Sequence, residues 1–160
     1  MAKRTYAIQD DYADDYAWCY GCGRLNKNGL HLRTSWAGEK TVTVYTPLPE
    51  HMAVPGFVYG GLLASLIDCH STGSASLALH RKNGYEPGDG IEAPRFVTAS
   101  LAVDFIKPTP LGVPLKAIGT VEEMHAKKWK VQTEVMAEGV CCAKGDVVAV
   151  VMPKTFSSNS

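Results

Sequence analysis

The part of this chain that most constrains its fold is the segment of residues 60–79, which runs for twenty residues without a proline. It opens with Gly60 and Gly61, continues with apolar and small residues, and carries a lone acid at Asp68. We predict one long helix here, about 30 Å in length. The first turn of a helix exposes backbone N–H groups that have no intrahelical acceptor, and these groups attract an oxygen with negative charge. Gly60 and Gly61 are therefore candidate donors to a ligand.

The second half of the chain has the alternation of β-strands, in residues 96–107, 113–124, 129–137 and 141–152. In the third of these, Val131, Thr133 and Val135 alternate with charged and amide side chains, which is typical of a sheet covered on one face. The run at residues 147–151 has no polar alternation and predicts a central strand. The connections are too short for parallel crossovers, so we expect antiparallel pairing throughout.

A hairpin is predicted before the helix. Residues 30–36 and 41–45 alternate polar and apolar side chains on either side of a turn at Ala37 and Gly38. Prolines then interrupt regular structure as far as Gly60. Together the elements predict an α+β fold, in which a curved antiparallel sheet wraps around one central helix. A long exposed edge of that sheet favours edge-to-edge pairing of two copies.

The composition fits one packed domain. The chain has 160 residues, of which 46% are hydrophobic and 20% charged, enough for a core without disulfides or metal. We place a single domain over residues 1–160, with an N-terminal arm at 1–18 and a flexible tail at 154–160. No internal repeat marks a boundary.

Charge and hydropathy narrow the possible partners. The formal net charge is zero, whereas a nucleic-acid-binding protein needs a basic surface to neutralise phosphates. The N-terminus leads into acidic residues rather than an apolar segment, and no apolar stretch has membrane-spanning length. We therefore expect a cytoplasmic protein with neither nucleic-acid nor membrane partners.

The five cysteines are an odd number, which fits a reducing compartment better than a disulfide framework. Cys19 and Cys22 have the spacing of half a zinc ribbon, but Cys69, Cys141 and Cys142 supply no second pair with two intervening residues. From the sequence we favour a tight, glycine-rich turn that packs two thiols, and we predict no metal.

Two runs carry a resemblance to a known family. They are Val-Tyr-Gly-Gly-Leu-Leu-Ala-Ser-Leu-Ile-Asp at residues 58–68 and Leu-Ala-Val-Asp-Phe-Ile-Lys-Pro-Thr-Pro-Leu-Gly at residues 101–112. With the order of elements, they resemble the hotdog-fold thioesterases of the phenylacetate-degradation (PaaI-like) type, over roughly residues 19–153. The resemblance implies hydrolysis of an acyl-coenzyme A thioester between two subunits, without a cofactor other than the coenzyme A of the substrate.

The resemblance also implies roles for individual residues. Asp68 matches the catalytic acid that acts as nucleophile or general base, and Gly60 matches the glycine whose N–H polarises the thioester carbonyl. Thr98 lies where relatives have a hydroxyl that assists the attacking water, and Thr72 matches a water-holding threonine of some branches. The family usually has histidine where this chain has Tyr59, which bears on substrate choice more than on reaction type.

Distance along the helix implies a second subunit. Gly60 and Asp68 are eight residues apart, which is about 12 Å along a helix axis. Both must reach one reacting carbonyl, so a single copy cannot supply both groups. We expect antiparallel helices from two subunits in a homodimer, or in a dimer of dimers.

Other interpretations of these residues stay open. Asp68 can bond a neighbouring strand, Thr72 can bond back to its own helix, and Thr98 can be an ordinary strand residue. We expect His51, Tyr59 and Gly61 to contact substrate, although the first two also suit loop packing. An alternative function is a non-catalytic acyl-CoA binding or sensing module of the same fold. A hydratase is disfavoured, because the paired Asp and His of that branch is missing.

Overall fold

The computed structural model of the chain describes residues 5–156. Within them, one long helix accompanies a six-stranded antiparallel sheet with the order β1-β2-β4-β5-β6-β3. The elements in chain order are β1 (Thr34–Ala37), β2 (Lys40–Tyr45), α1 (Gly60–Lys82), β3 (Phe96–Phe105), β4 (Leu115–His125), β5 (Lys128–Ala137) and β6 (Val140–Val151). The predicted α+β architecture, a curved antiparallel sheet around one helix, is confirmed. Strand β6 is central, as its apolar run predicts.

Helix α1 contacts all six strands. Six strands laid flat span about 24 Å between the outermost pair, twice the diameter of a helix. One helix therefore touches every strand only because the sheet curves around it. Among the described residues, no helix is both long and apolar enough to cross a membrane.

The buried surface of α1 changes character along its length. Its first half buries large apolar side chains, namely Leu62, Leu63, Leu66 and Ile67. Its second half buries mainly small and polar residues from His70 to Ser76. At a close contact between the helix and the sheet, a glycine makes room for the helix. A Cβ added at Gly145 of β6 would lie 2.4 Å from Ile67 Cγ2.

A chain of buried hydrogen bonds links the N-terminal arm to the helix through β1 and β2. Gln9 Nε2 donates to Thr34 Oγ1 over 3.1 Å, and Thr34 Oγ1 lies 2.9 Å from Thr43 Oγ1. Thr43 Oγ1 in turn hydrogen-bonds His70 Nδ1 over 2.8 Å. The hydroxyl of Ser74 donates to the His70 carbonyl over 2.6 Å. Because each of these groups is buried and paired, the network fixes the arm, the hairpin and the helix relative to one another.

Two predicted boundaries differ from the structure. The first strand is predicted from residue 30 but begins at Thr34, because His31 has a φ of 54° that a strand does not allow. The helix continues to Lys82, three residues beyond the predicted end. In the predicted tail Lys154–Phe156 form a 3₁₀ turn, whereas residues 157–160 and residues 1–4 of the arm lie outside the described residues.

The buried His70 predicts a pH dependence of stability. Burial lowers the pKa of His70 from 6.5 to about 3. The unfolded chain therefore takes up a proton near pH 6.5 that the folded chain does not. The free energy of unfolding therefore has the full contribution of the buried, neutral His70 above pH 6.5. This contribution is lost with a slope of about 1.4 kcal/mol per pH unit as the pH falls from there towards 3.

Urea unfolding at a series of pH values between 5 and 8, at intervals of about 0.5, measures this slope. A His70→Gln variant is expected to be less stable at pH 8 but to lose the slope, whereas the exposed His125→Gln keeps it. An unchanged slope in His70→Gln would contradict the assignment.

Candidate functional site

Asp68 lies on the one stripe of α1 that the sheet leaves partly uncovered in its first turns. The stripe consists of Gly61, Ala64, Ser65 and Asp68, in which Gly61 and Asp68 each lie three or four residues from the other two. By contrast, every residue from Cys69 to Leu77 is buried. The carboxylate is therefore accessible from the surface of a single subunit.

Thr98 holds the Asp68 carboxylate. Its hydroxyl donates a short hydrogen bond to Asp68 Oδ1. Thr98 lies on β3, which pairs with β6 alone and forms one edge of the sheet. The acid is thus positioned at the junction between the helix and a free strand edge.

A bulge in β3 directly follows Thr98, where the pairing with β6 shifts register between Thr98 and Ser100. The shift reverses which residues face the helix. Thr98 faces α1 before it, and Val103 and Phe105 face α1 after it. The bulge therefore lets one strand supply both the hydroxyl on Asp68 and an aromatic ring at the helix start.

The start of α1 opens onto a cleft. The first N–H groups of the helix, at Gly60 and Gly61, have no intrahelical acceptor. The N-cap residue Tyr59 has an extended backbone, and its side chain does not cap them either. A cleft of about 330 Å³ adjoins this helix start, lined by Val58, Gly60, Leu63, Phe105, Ile106, Lys107, Pro108 and Thr109. The Phe105 ring covers Gly60 so closely that an added Cβ would lie 3.1 Å from Phe105 Cζ. The cleft therefore combines apolar walls with a backbone donor.

Within one chain, the cleft and the acid are separate. Asp68 does not line the cleft at Gly60. Eight helical residues separate the two groups, which is about 12 Å along the axis. An N–H group and a carboxylate at this separation cannot both contact one small reacting group.

Thr72 is engaged with its own helix. It is buried, and its hydroxyl donates to the carbonyls of Asp68 over 3.4 Å and of Cys69 over 3.2 Å. A hydroxyl in this position bonds back to the preceding turn. The structure therefore brings Thr98, and not Thr72, to the Asp68 side chain.

His51 and Tyr59 lie together in the loop before the helix. His51 is 8% exposed, its Nδ1 accepts the Leu48 N–H over 2.9 Å, and its ring centroid lies 6.5 Å from that of Tyr59. Tyr59 is 39% exposed and its ring packs against Gly61. Tyr59 is thus accessible next to the helix start, whereas His51 supports the loop beneath it.

The basic residues at the end of α1 and at the cleft differ in their pairing. Arg81 forms a salt bridge with Glu86 over 2.6 Å, and Lys82 forms one with Glu123 over 2.7 Å. Lys107 is exposed and lines the cleft. Sequence reasoning did not assign Lys107 or Phe105 to the site. Both belong to the run at residues 101–112, and their position at the end of a predicted strand is the sequence signal that could have identified them.

Within the described part of the chain, neither Asp68 nor any residue that lines the cleft belongs to a metal-binding cluster. Across residues 5–156, the one group of His, Cys, Asp or Glu side chains with suitable spacing is that of Cys19, Cys22 and Cys69. Its third member follows Asp68 directly but is buried.

Comparison with known proteins gives consistent matches. The family model described as "Thioesterase superfamily" matches residues 55–143. The crystal structure of a thioesterase superfamily protein from Shewanella loihica is 44% identical, with a TM-score of 0.66, and the match covers 88% of this chain and 98% of that one. No curated protein matches the sequence.

Two further solved structures share the fold at low sequence identity. A thioesterase from Haemophilus influenzae is 16% identical with a TM-score of 0.63, over 82% of this chain and 85% of that one. The PaaI protein of the phenylacetic acid degradation operon of Escherichia coli is 16% identical with a TM-score of 0.61, over 78% of this chain and 81% of that one. The predicted hotdog fold is confirmed by these neighbours.

Replacing His51 tests whether it supports the loop. In His51→Ala the Leu48 N–H loses its acceptor, and we expect the free energy of unfolding to fall by about 1–2 kcal/mol. His125 is a matched control, because its Nδ1 also accepts a backbone N–H, from Lys127, but is exposed. Water replaces it in His125→Ala, so that the loss there should stay below about 0.5 kcal/mol. If urea unfolding gave the same loss of stability for His51→Ala and His125→Ala, His51 would not support the loop.

Proposed function

Because the chain belongs to the thioesterase superfamily, we propose that it is an acyl-CoA thioesterase whose site forms between two subunits. Asp68 of one subunit activates water or attacks the thioester directly. The Gly60 N–H of the other subunit binds the oxygen that becomes negatively charged in the tetrahedral state. The observation that carries this proposal is the separation of the two groups within one chain, each of them accessible and each incomplete alone.

The free edge of β3 supports a two-subunit site. The strand has ten residues and no partner on its outer side within the described chain. Leu101, Phe105 and Ile106 on or next to it are large apolar residues that stay 41–58% exposed. Antiparallel pairing of β3 with a second copy would bond the open backbone groups and cover these side chains.

The same pairing would bring the two sites together. Because Thr98 ties Asp68 to β3, a partner that docks along β3 also approaches Asp68. In the proposed dimer, a two-fold axis through the paired strands would bring the start of each helix to the middle of the other, at two equivalent positions. Each dimer then has two equivalent sites.

The cleft favours a thioester of coenzyme A. Its walls are apolar around Gly60, which suits an acyl group, and Lys107 offers a cation for a phosphate. Hydrolysis adds water across the thioester and releases a carboxylate and a free thiol. Glycine suits the donor position, because the substrate must touch the backbone itself.

Asp68→Asn tests the role of the acid. Asparagine keeps an oxygen for the Thr98 hydroxyl, so we expect unchanged folding, while turnover falls by about 100-fold or more because the general base is lost. The measurement is release of free thiol from a panel of short-chain, long-chain and aromatic acyl-CoAs. The matched control is Asp146→Asn, an exposed acid on β6 away from the free edge of β3. A wild-type protein that binds acyl-CoA but hydrolyses none of the panel would instead be the binding module.

Mixed dimers test the location of the site. Gly60→Pro removes the proposed donor. Proline suits the first helical position after the extended Tyr59, and the exposed Phe105 ring has to shift by only a few tenths of an ångström to make room for its Cβ. Each single variant alone should be inactive. A mixed dimer with Asp68→Asn in one chain and Gly60→Pro in the other keeps one intact site, so it should recover about half of the wild-type turnover.

The control is a mixed dimer of wild type with the double variant, in which both shared sites are broken. It should be inactive. Two differently tagged chains, co-expressed and purified in sequence, provide both species. The reverse pattern, with an active control and an inactive first pair, would place each site within one chain.

A further inference from the structure

Three thiols from two distant parts of the sequence meet beside the central helix. Cys19 and Cys22 come from a turn in the N-terminal segment, and Cys69 comes from α1. The three sulfur atoms all lie within 4.8 Å of one another, and Cys19 Sγ lies 3.8 Å from Cys69 Sγ. All three are free cysteines, and Cys22 and Cys69 are buried.

The spacing of the sulfur atoms fits a tetrahedral metal. With metal–sulfur bonds of about 2.3 Å, two ligands of a tetrahedral zinc ion have sulfur atoms about 3.8 Å apart. A disulfide requires about 2.05 Å, little more than half of this separation. One ion therefore fits between the three sulfur atoms with small adjustments of the side chains.

The backbone of the turn is shaped around the sulfur atoms. A Cβ at Gly21 would lie 2.2 Å from Cys69 Sγ, and a Cβ at Gly23 would lie 2.5 Å from the Cys19 nitrogen. The backbone N–H of Gly23 donates to the Cys19 carbonyl over 2.7 Å. The two glycines therefore allow the turn to close tightly beside the sulfur atoms.

A half-buried cation lies near the cluster. Arg95 packs over the Tyr12 ring at 4.9 Å, and its charge acts on Cys19, Cys22 and Cys69 together. Three thiolates with one divalent ion carry a net charge of −1, which is opposite to the charge of the guanidinium. A cation on this side therefore lowers the cost of holding the charged site in the protein.

We infer that Cys19, Cys22 and Cys69 bind one zinc ion, with the fourth position taken by water on the side of the more exposed Cys19. Binding replaces three S–H bonds by three metal–sulfur bonds and releases three protons to solvent. The sequence predicts no metal, because Cys141 and Cys142 offer no second pair, but the third ligand comes from the helix. The ion would tie the N-terminal turn to the residue next to Asp68.

Metal analysis of the purified protein tests this assignment. Wild type, grown with zinc and purified without chelator, should contain about one zinc per chain. The reduced, metal-free protein should bind about one Co²⁺, with the near-ultraviolet charge-transfer band of thiolate ligands and the visible bands of tetrahedral cobalt. X-ray absorption at the zinc edge should give about three sulfur ligands at about 2.3 Å.

Variants separate this site from incidental binding. Cys19→Ser and Cys69→Ser should each hold less than about a tenth of the wild-type metal, because a structural zinc site depends on its full ligand set. Cys141→Ser, a cysteine outside the cluster, should keep all of it. The wild-type cobalt spectrum does not depend on how the variants fold.

The assignment fails if wild type holds no zinc and its reduced form gives no thiolate–cobalt band. It also fails if the serine variants fold but keep the metal, or if mass spectrometry shows that a disulfide within the cluster is the native state.

Discussion

The packing of α1 against all six strands is the constraint on which the rest of the molecule depends. The second half of the helix buries mainly small and polar residues, so that the hydroxyls of the hairpin strands, and not apolar contacts alone, determine how it lies. His70 is the central group, with Thr43 Oγ1 2.8 Å from its Nδ1. A buried imidazole keeps its hydrogen bonds in only one arrangement, so the helix cannot rotate about its axis without breaking them.

Hydrophobic periodicity was sufficient to predict the architecture. The proline-free segment, the alternation around Val131, Thr133 and Val135, and the uninterrupted apolar run of β6 each follow from local pattern. The segment before β1 was mispredicted, because its alternation resembles a strand while His31 adopts a left-handed backbone conformation. Alternation of polar and apolar residues reflects which side chains are buried, and an irregular segment with one buried leucine can show the same alternation.

Local pattern predicted the donors at the helix start and the lone acid, but Thr98 was assigned only through the resemblance, and the structure shows why. Thr98 reaches Asp68 from thirty residues away, and the β3 bulge that aims it leaves no mark in the residues themselves. Thr72 has the helical spacing of a partner for Asp68, yet its hydroxyl bonds the preceding turn. Likewise the third thiol of the cysteine cluster lies fifty residues from the first. Contacts of this kind are set by tertiary packing, on which local sequence patterns carry no information.

Three successive residues of α1 connect these observations. Neighbouring helical side chains diverge by about 100°, so Asp68, Cys69 and His70 point in three directions. Asp68 meets β3 through Thr98, Cys69 meets the N-terminal turn, and His70 meets β2. Anchors on three sides hold this turn of the helix against rotation and tilt. The proposed catalysis by a group shared between subunits requires such rigidity, since a displacement of about 1 Å can cost a large part of the rate. The contacts of Cys69 and His70 therefore help to keep Asp68 in one position.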